Sequence, residues 1–158
     1  MARRLGLPVQ HSELFGGALG TPTVERARQR LGGRGVTDGL AGSIVTAGDS
    51  SVRGVVVFSN EQECDVFLEA GFVKRTKRAN VEAIACENES PLHELSGEAR
   101  VFASLDEGKR VRFEEPEKGL QEGLLFEKCR YGALVAKDDG TIVAVGFRKL
   151  WPAAIAVG

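Results

Sequence analysis

The chain predicts an α+β protein of two successive modules, a β-α-β-β-α-β half followed by a small β-barrel half. Two apolar segments predict the first, Leu14-Phe15-Gly16-Gly17-Ala18-Leu19 and Arg53-Gly54-Val55-Val56-Val57-Phe58, each with a helix-like stretch close behind it. The second rests on the residues after Gly97, where short apolar runs alternate with turns and no helical period emerges.

Taken in order, Thr21-Pro22 opens the first helix: threonine caps it and proline suits the first helical position. Val24, Ala27 and Leu31 then recur at i, i+3 and i+7, and Gly32-Gly33 stops the helix. A strand within 42–47, the polar turn Gly48-Asp49-Ser50 and the strand through Phe58 read as a hairpin. Ser59-Asn60-Glu61-Gln62 matches a capping box, predicting a second helix with Cys64, Phe67 and Leu68 on one face and Gly71 as its stop. A last strand falls within 80–86, where Val81, Ala83 and Ala85 alternate. Residues 87–97 read as a linker. Beyond it, strands are predicted at 99–105, 109–114, 123–127, 132–136 and 141–147, with Asp139-Gly140 as a hairpin turn between the last two. The modules therefore span 11–88 and 98–158, with no internal repeat visible between them.

Bulk composition bounds the function. At 158 residues, 42% apolar and 27% charged, the chain has the make-up of an ordinary globular protein. A net charge of −1 gives it no global attraction to polyanions, so nucleic-acid binding must come from a local patch. Cys64, Cys86 and Cys129 are odd in number and never spaced as Cys-x-x-Cys, which argues against a disulfide framework and fits an intracellular setting. With only His11 and His93 beside them, no metal site or cofactor is expected. No apolar run is long enough to cross a bilayer, so no membrane partner is expected either.

The segment from His11 to Cys86 resembles an RNA recognition motif, a ferredoxin-like sandwich whose sheet stacks bases on outward aromatics. Leu14, Phe15 and Leu19 match the first-strand hexapeptide, and Gly54, Val56 and Phe58 match inward positions of the third-strand octapeptide. The resemblance implies an outward platform of Phe15, Arg53 and Val55. Arg53 and Val55 stand where the family carries stacking aromatics, each worth ~1–3 kcal/mol per base. Lys74, Arg75, Lys77 and Arg78 form the densest basic cluster and are the candidate phosphate contacts. An aliphatic sheet face would instead suit a protein partner.

The strand rhythm of the second module resembles an SH3-like or Tudor-like barrel, which implies an aromatic cage; Tyr131, Phe147 and Trp151 are its candidates. Two further comparisons fit less well. Glu127-Lys128-Cys129-Arg130-Tyr131-Gly132 is similar to a nucleotidyl-lysine motif, but has tyrosine where aspartate belongs. Lys74–Arg78 with Glu94-Leu95-Ser96 is similar to the cyclic-dinucleotide motifs of the PilZ family, with Glu94 and Ala99 at positions that require Asp/Asn and Gly. No carboxylate pair or phosphate-cradling loop is singled out. The sequence therefore predicts a non-enzymatic RNA-binding protein or ribonucleoprotein adaptor, with a protein–protein module as the alternative.

Overall fold

The computed structural model describes residues 18–20, 24–47, 52–85, 90–116 and 118–153, which form a mixed α+β structure. Of these, 36–103 make one compact unit, and 18–35 together with 104–153 make another.

The first unit is a five-stranded antiparallel sheet built from β2 (Ile44–Ala47), β3 (Arg53–Ser59), β4 (Glu63–Leu68), β5 (Val73–Lys77) and β6 (Val81–Ala83). Its spatial order is β5-β4-β3-β2-β6, with a 3₁₀ turn at Arg78–Asn80 carrying the chain from β5 to β6. Val45, Ala47, Val56, Cys64, Val66 and Leu68 pack together as its core. The helix expected after Ser59 is strand β4. Cys64, Phe67 and Leu68 fit a helical stripe, but Cys64, Val66 and Leu68 fit an alternating strand equally well, and six residues are too few for a stable helix. The capping-box residues make a hairpin turn instead. The Asn60 side-chain oxygen accepts the amides of Gln62 and Glu63, both at 2.9 Å, and the Asn60 amide donates to the Glu63 carbonyl at 3.0 Å. With β4 a strand, the β-α-β-β-α-β order does not form.

Helix α2 (Pro91–Ser104) occupies the stretch read as a linker and the predicted strand 99–105, and it belongs to this first unit. The Ser90 hydroxyl accepts the Leu92 amide at 3.2 Å, and Pro91 takes the first helical position. Leu92, Leu95, Ser96, Ala99 and Phe102 recur at intervals of three and four and are buried along one stripe. The Ser96 hydroxyl donates to the Gly42 carbonyl, and the Arg100 stem lies where a Cβ on Gly42 would stand.

The second unit holds β1 (Ala18–Gly20), α1 (Val24–Arg30), β7 (Arg110–Glu115), β8 (Gly119–Lys128), β9 (Gly132–Lys137), β10 (Ile142–Gly146) and β11 (Leu150–Pro152). All six strands join one antiparallel sheet in the order β1-β10-β9-β8-β7-β11, and α1 packs on β9 and β10. Val111, Phe113, Leu125, Leu134, Val145, Phe147 and Leu150 are among its buried apolar residues.

The two units repeat one strand plan. In each, four strands meander, a 3₁₀ turn follows (Arg78–Asn80 or Phe147–Lys149), and a short strand returns to pair with the first of the meander. Register matches pair by pair: Gly54↔Leu68 and Val56↔Val66 correspond to Gly123↔Lys137 and Leu125↔Val135. The pairing then slips at the same step, between Val56 and Phe58 and between Leu125 and Glu127. Ahead of each first strand a glycine in the left-handed region donates its amide across the sheet. Gly42 (φ 93°) reaches the Val56 carbonyl at 2.7 Å, and Gly108 (φ 88°) reaches that of Leu125 at 2.8 Å. Over the matched positions only Gly42/Gly108, Val45/Val111, Gly54/Gly123, Val66/Val135 and Gly71/Gly140 keep the same residue, so the repeat is invisible in the sequence.

Candidate interaction surface

The residues predicted to contact RNA are largely committed elsewhere. Phe15 lies outside the described residues. Arg53 opens β3 and forks onto Glu69, with Nε and Nη2 donating at 3.2 and 2.8 Å. Val55 is fully buried, which corrects its expected place on an open platform: β3 and β4 are covered on both faces. The basic cluster forms edge strand β5 and the 3₁₀ turn after it. Arg75 Nε donates to the buried Asp65 carboxylate at 2.8 Å. Arg78 donates to Asp38, to the Ser59 hydroxyl at 2.9 Å and to the Asn60 carbonyl at 2.9 Å. Burial pushes Asp38 up, but the Leu40 amide, Arg78 and Ser59 together outweigh it and hold the carboxyl below its ordinary range. Lys74 and Lys77 are exposed, and strand alternation sends them to opposite faces, so they form no continuous phosphate track. Lysines on an edge strand also discourage unwanted strand pairing.

The cage candidates in the second unit are not equivalent. Phe147 is fully buried and opens the 3₁₀ turn; Tyr131 is nearly so, its ring filling the space a Cβ on Gly32 would need, 2.6 Å from Cε2. Neither offers a face to a ligand cation. Trp151 is half-buried on edge strand β11, opposite Arg112 of β7.

Trp151, Pro152, Leu120 and Arg112 line a groove of about 310 Å³. It adjoins the outward face of β8, where Leu120, Leu124 and Phe126 are 55, 40 and 47% exposed while Gly123, Leu125 and Glu127 between them are buried. Strand pairing sets Arg110 beside Leu124 and Arg112 beside Glu122. Arg110 is engaged by Asp138 at 3.2 Å and Glu122 at 3.5 Å. The Arg112 guanidinium has no hydrogen bond or ion pair among the described residues. In the first unit the register places Val55 and Val57 where Leu124 and Phe126 stand, and both valines are fully buried. One sheet plan thus carries the same apolar face covered in one copy and open in the other. Sequence reasoning missed this face. Its signal was Leu120, Leu124 and Phe126 at even spacing around Leu125, a strand apolar on both sides.

On the inward side, Glu127 receives Arg28 Nε at 2.6 Å and Nη2 at 3.0 Å, with Arg34 at 3.5 Å. These hydrogen bonds hold its carboxyl below the ordinary glutamate range against the opposing effect of burial. Burial, reinforced by Glu127, pushes the neighbouring Cys129 thiol up to about 12. Lys128 is buried with Nζ donating to the Leu105 carbonyl at 2.7 Å. In this cluster burial holds the thiol towards its protonated form, and the carboxylate is clasped by two Arg28 donors. Among the described residues no three His, Cys, Asp or Glu side chains gather to hold a metal ion, and no helix is long and apolar enough to cross a membrane. Neither a protein-family model nor a curated protein matches the chain.

Proposed function

We propose that the protein is a non-catalytic interaction module that docks a partner protein on the outward face of β8. The observation that carries this reading is the open row Leu120, Leu124 and Phe126, whose Val55 and Val57 counterparts are buried. Burying the exposed half of each side chain returns on the order of 1 kcal/mol, enough together for the centre of a small interface.

RNA binding is the second reading. It keeps Lys74 and Lys77, since Arg53, Arg75 and Arg78 already hold carboxylates. Co-purification from nuclease-treated extract, compared with a Leu124→Glu/Phe126→Glu variant of unchanged stability, tests the first. A stoichiometric protein lost on that substitution supports docking. Fluorescence anisotropy with a single-stranded RNA tests the second: binding that falls steeply with salt, survives the β8 variant and disappears in Lys74→Glu/Lys77→Glu overturns docking in favour of RNA.

A further inference from the structure

The groove at the end of the β8 face carries a more specific statement. We infer that it accepts an extended peptide segment presenting a bulky apolar side chain next to a carboxylate, with Arg112 as the carboxylate's partner. This rests on the reading that the β8 face docks protein.

The lining is mixed in a telling way. Leu120, Trp151 and Pro152 give apolar walls around a space of about 310 Å³, on the scale of one or two large side chains. Into it is set a single guanidinium, half-buried and uncommitted among the described residues. Its strand neighbour Arg110, by contrast, is bonded to Asp138 and Glu122. A guanidinium partly withdrawn from water gains most from a carboxylate it can grip with two parallel donors. Among the described residues β11, which supplies Trp151 and Pro152, is the edge of the sheet, the position at which an extended segment can add a strand. A polyanion is disfavoured, because Glu114 and Glu122 flank Arg112 on β7 and β8.

Trp151 is the only tryptophan in the chain, so its emission reports occupancy of this groove. Capped hexapeptides carrying Leu or Phe next to Glu, Gln or Lys are titrated against the full chain. The Glu peptides are expected to shift the emission and to bind at least about tenfold more tightly than the Lys peptides. Arg112→Glu should invert that order, and Arg112→Gln should abolish it; circular dichroism checks that both variants keep the fold. Equal binding of all three sets, an order unchanged by Arg112→Glu, or no emission change with any peptide overturns the inference. If the peptides fail while a co-purifying protein is still lost on Leu124→Glu/Phe126→Glu, the groove assignment falls and the docking face stands. If that protein is also retained, both fall.

Discussion

Gly54 and Gly123 hold one position in two different sheets. Each lies two residues before a slipped pairing step, and each is pressed against the neighbouring strand: a Cβ would meet the Phe67 carbonyl oxygen at 2.5 Å in one case and that of Ala136 at 2.6 Å in the other. The obstacle is backbone, which cannot swing away as a side-chain tip does. That shared constraint explains why glycine stands at both places although most other matched positions hold different residues.

Gly54→Ala and Gly123→Ala should therefore each destabilise the protein by about 1–3 kcal/mol, through overpacking. Gly97 is the internal control. It lies inside α2 with nothing within 4 Å of an added Cβ. Gly97→Ala should raise stability by about 0.5–1 kcal/mol, because alanine gives up less backbone freedom in a helix. Urea denaturation measures all three, and a neutral Gly54→Ala would remove the close-approach account.

Much of the β structure is legible in the sequence. The runs at 53–58 and 141–147 carry dense β-branched residues, 132–136 is an apolar run beside a sharp turn signal, and each contains or becomes a strand. The misreadings share a physical cause. At Ser59–Gln62 the same polar residues serve a helix cap or a hairpin turn, and only the length of the following apolar run separates the two. At Pro91–Ser104 the helical stripe Leu92, Leu95, Ala99 and Phe102 was present, but Gly97, Ser96 and His93 within it read as loop composition. The basic residues of β5 looked like a binding patch because sequence does not show the opposite charges that meet them: Asp65 is across the hairpin and Asp38 far upstream. The open β8 face was missed for a similar reason, since alternation alone does not tell which side of a strand is covered.

Glu127 should govern part of the acid sensitivity. Arg28's hydrogen bonds hold the folded carboxyl below its ordinary value, so the unfolded chain takes up the proton more readily. The resulting stabilisation is complete above an ordinary carboxyl pKa of about 4.3 and is lost as pH falls through the folded value. Asp38, also lowered, acts in the same sense. Glu127→Gln should destabilise the protein near pH 7, since Arg28 loses its two-donor grip on a buried carboxylate and keeps only the exposed Glu25, and the gap to wild type should close towards pH 3. Denaturant midpoints across pH 3–7 measure this; a gap that stays constant would leave the ion pair without a role.

The two described thiols should be inert in the native state. Cys64 and Cys129 are buried, burial raises both, and Glu127 raises Cys129 further. Thiolate is the reactive form, so both access and ionisation are withheld. In a Cys86→Ser background, a chromogenic disulfide reagent should label native protein at under about one hundredth of the rate seen in denaturant. Rapid titration of one thiol without denaturant would show that one of these sites opens readily.

The cations of β5 should separate into structural and dispensable ones. Arg75 meets a fully buried carboxylate, Asp65, across the β4–β5 hairpin at 2.8 Å. Removing the arginine leaves that charge without its cation in the sheet interior. Because the Arg75 side chain is itself 45% exposed, water reaches the pair, and the loss should be nearer 2 kcal/mol than the 3–5 typical of fully enclosed pairs. Lys74, adjacent in sequence but on the other face, should tolerate alanine within about 0.5 kcal/mol. Thermal denaturation of Arg75→Ala and Lys74→Ala distinguishes them. Comparable, small effects would mean that Asp65 is adequately held without Arg75, which would return that guanidinium to the set available for a ligand.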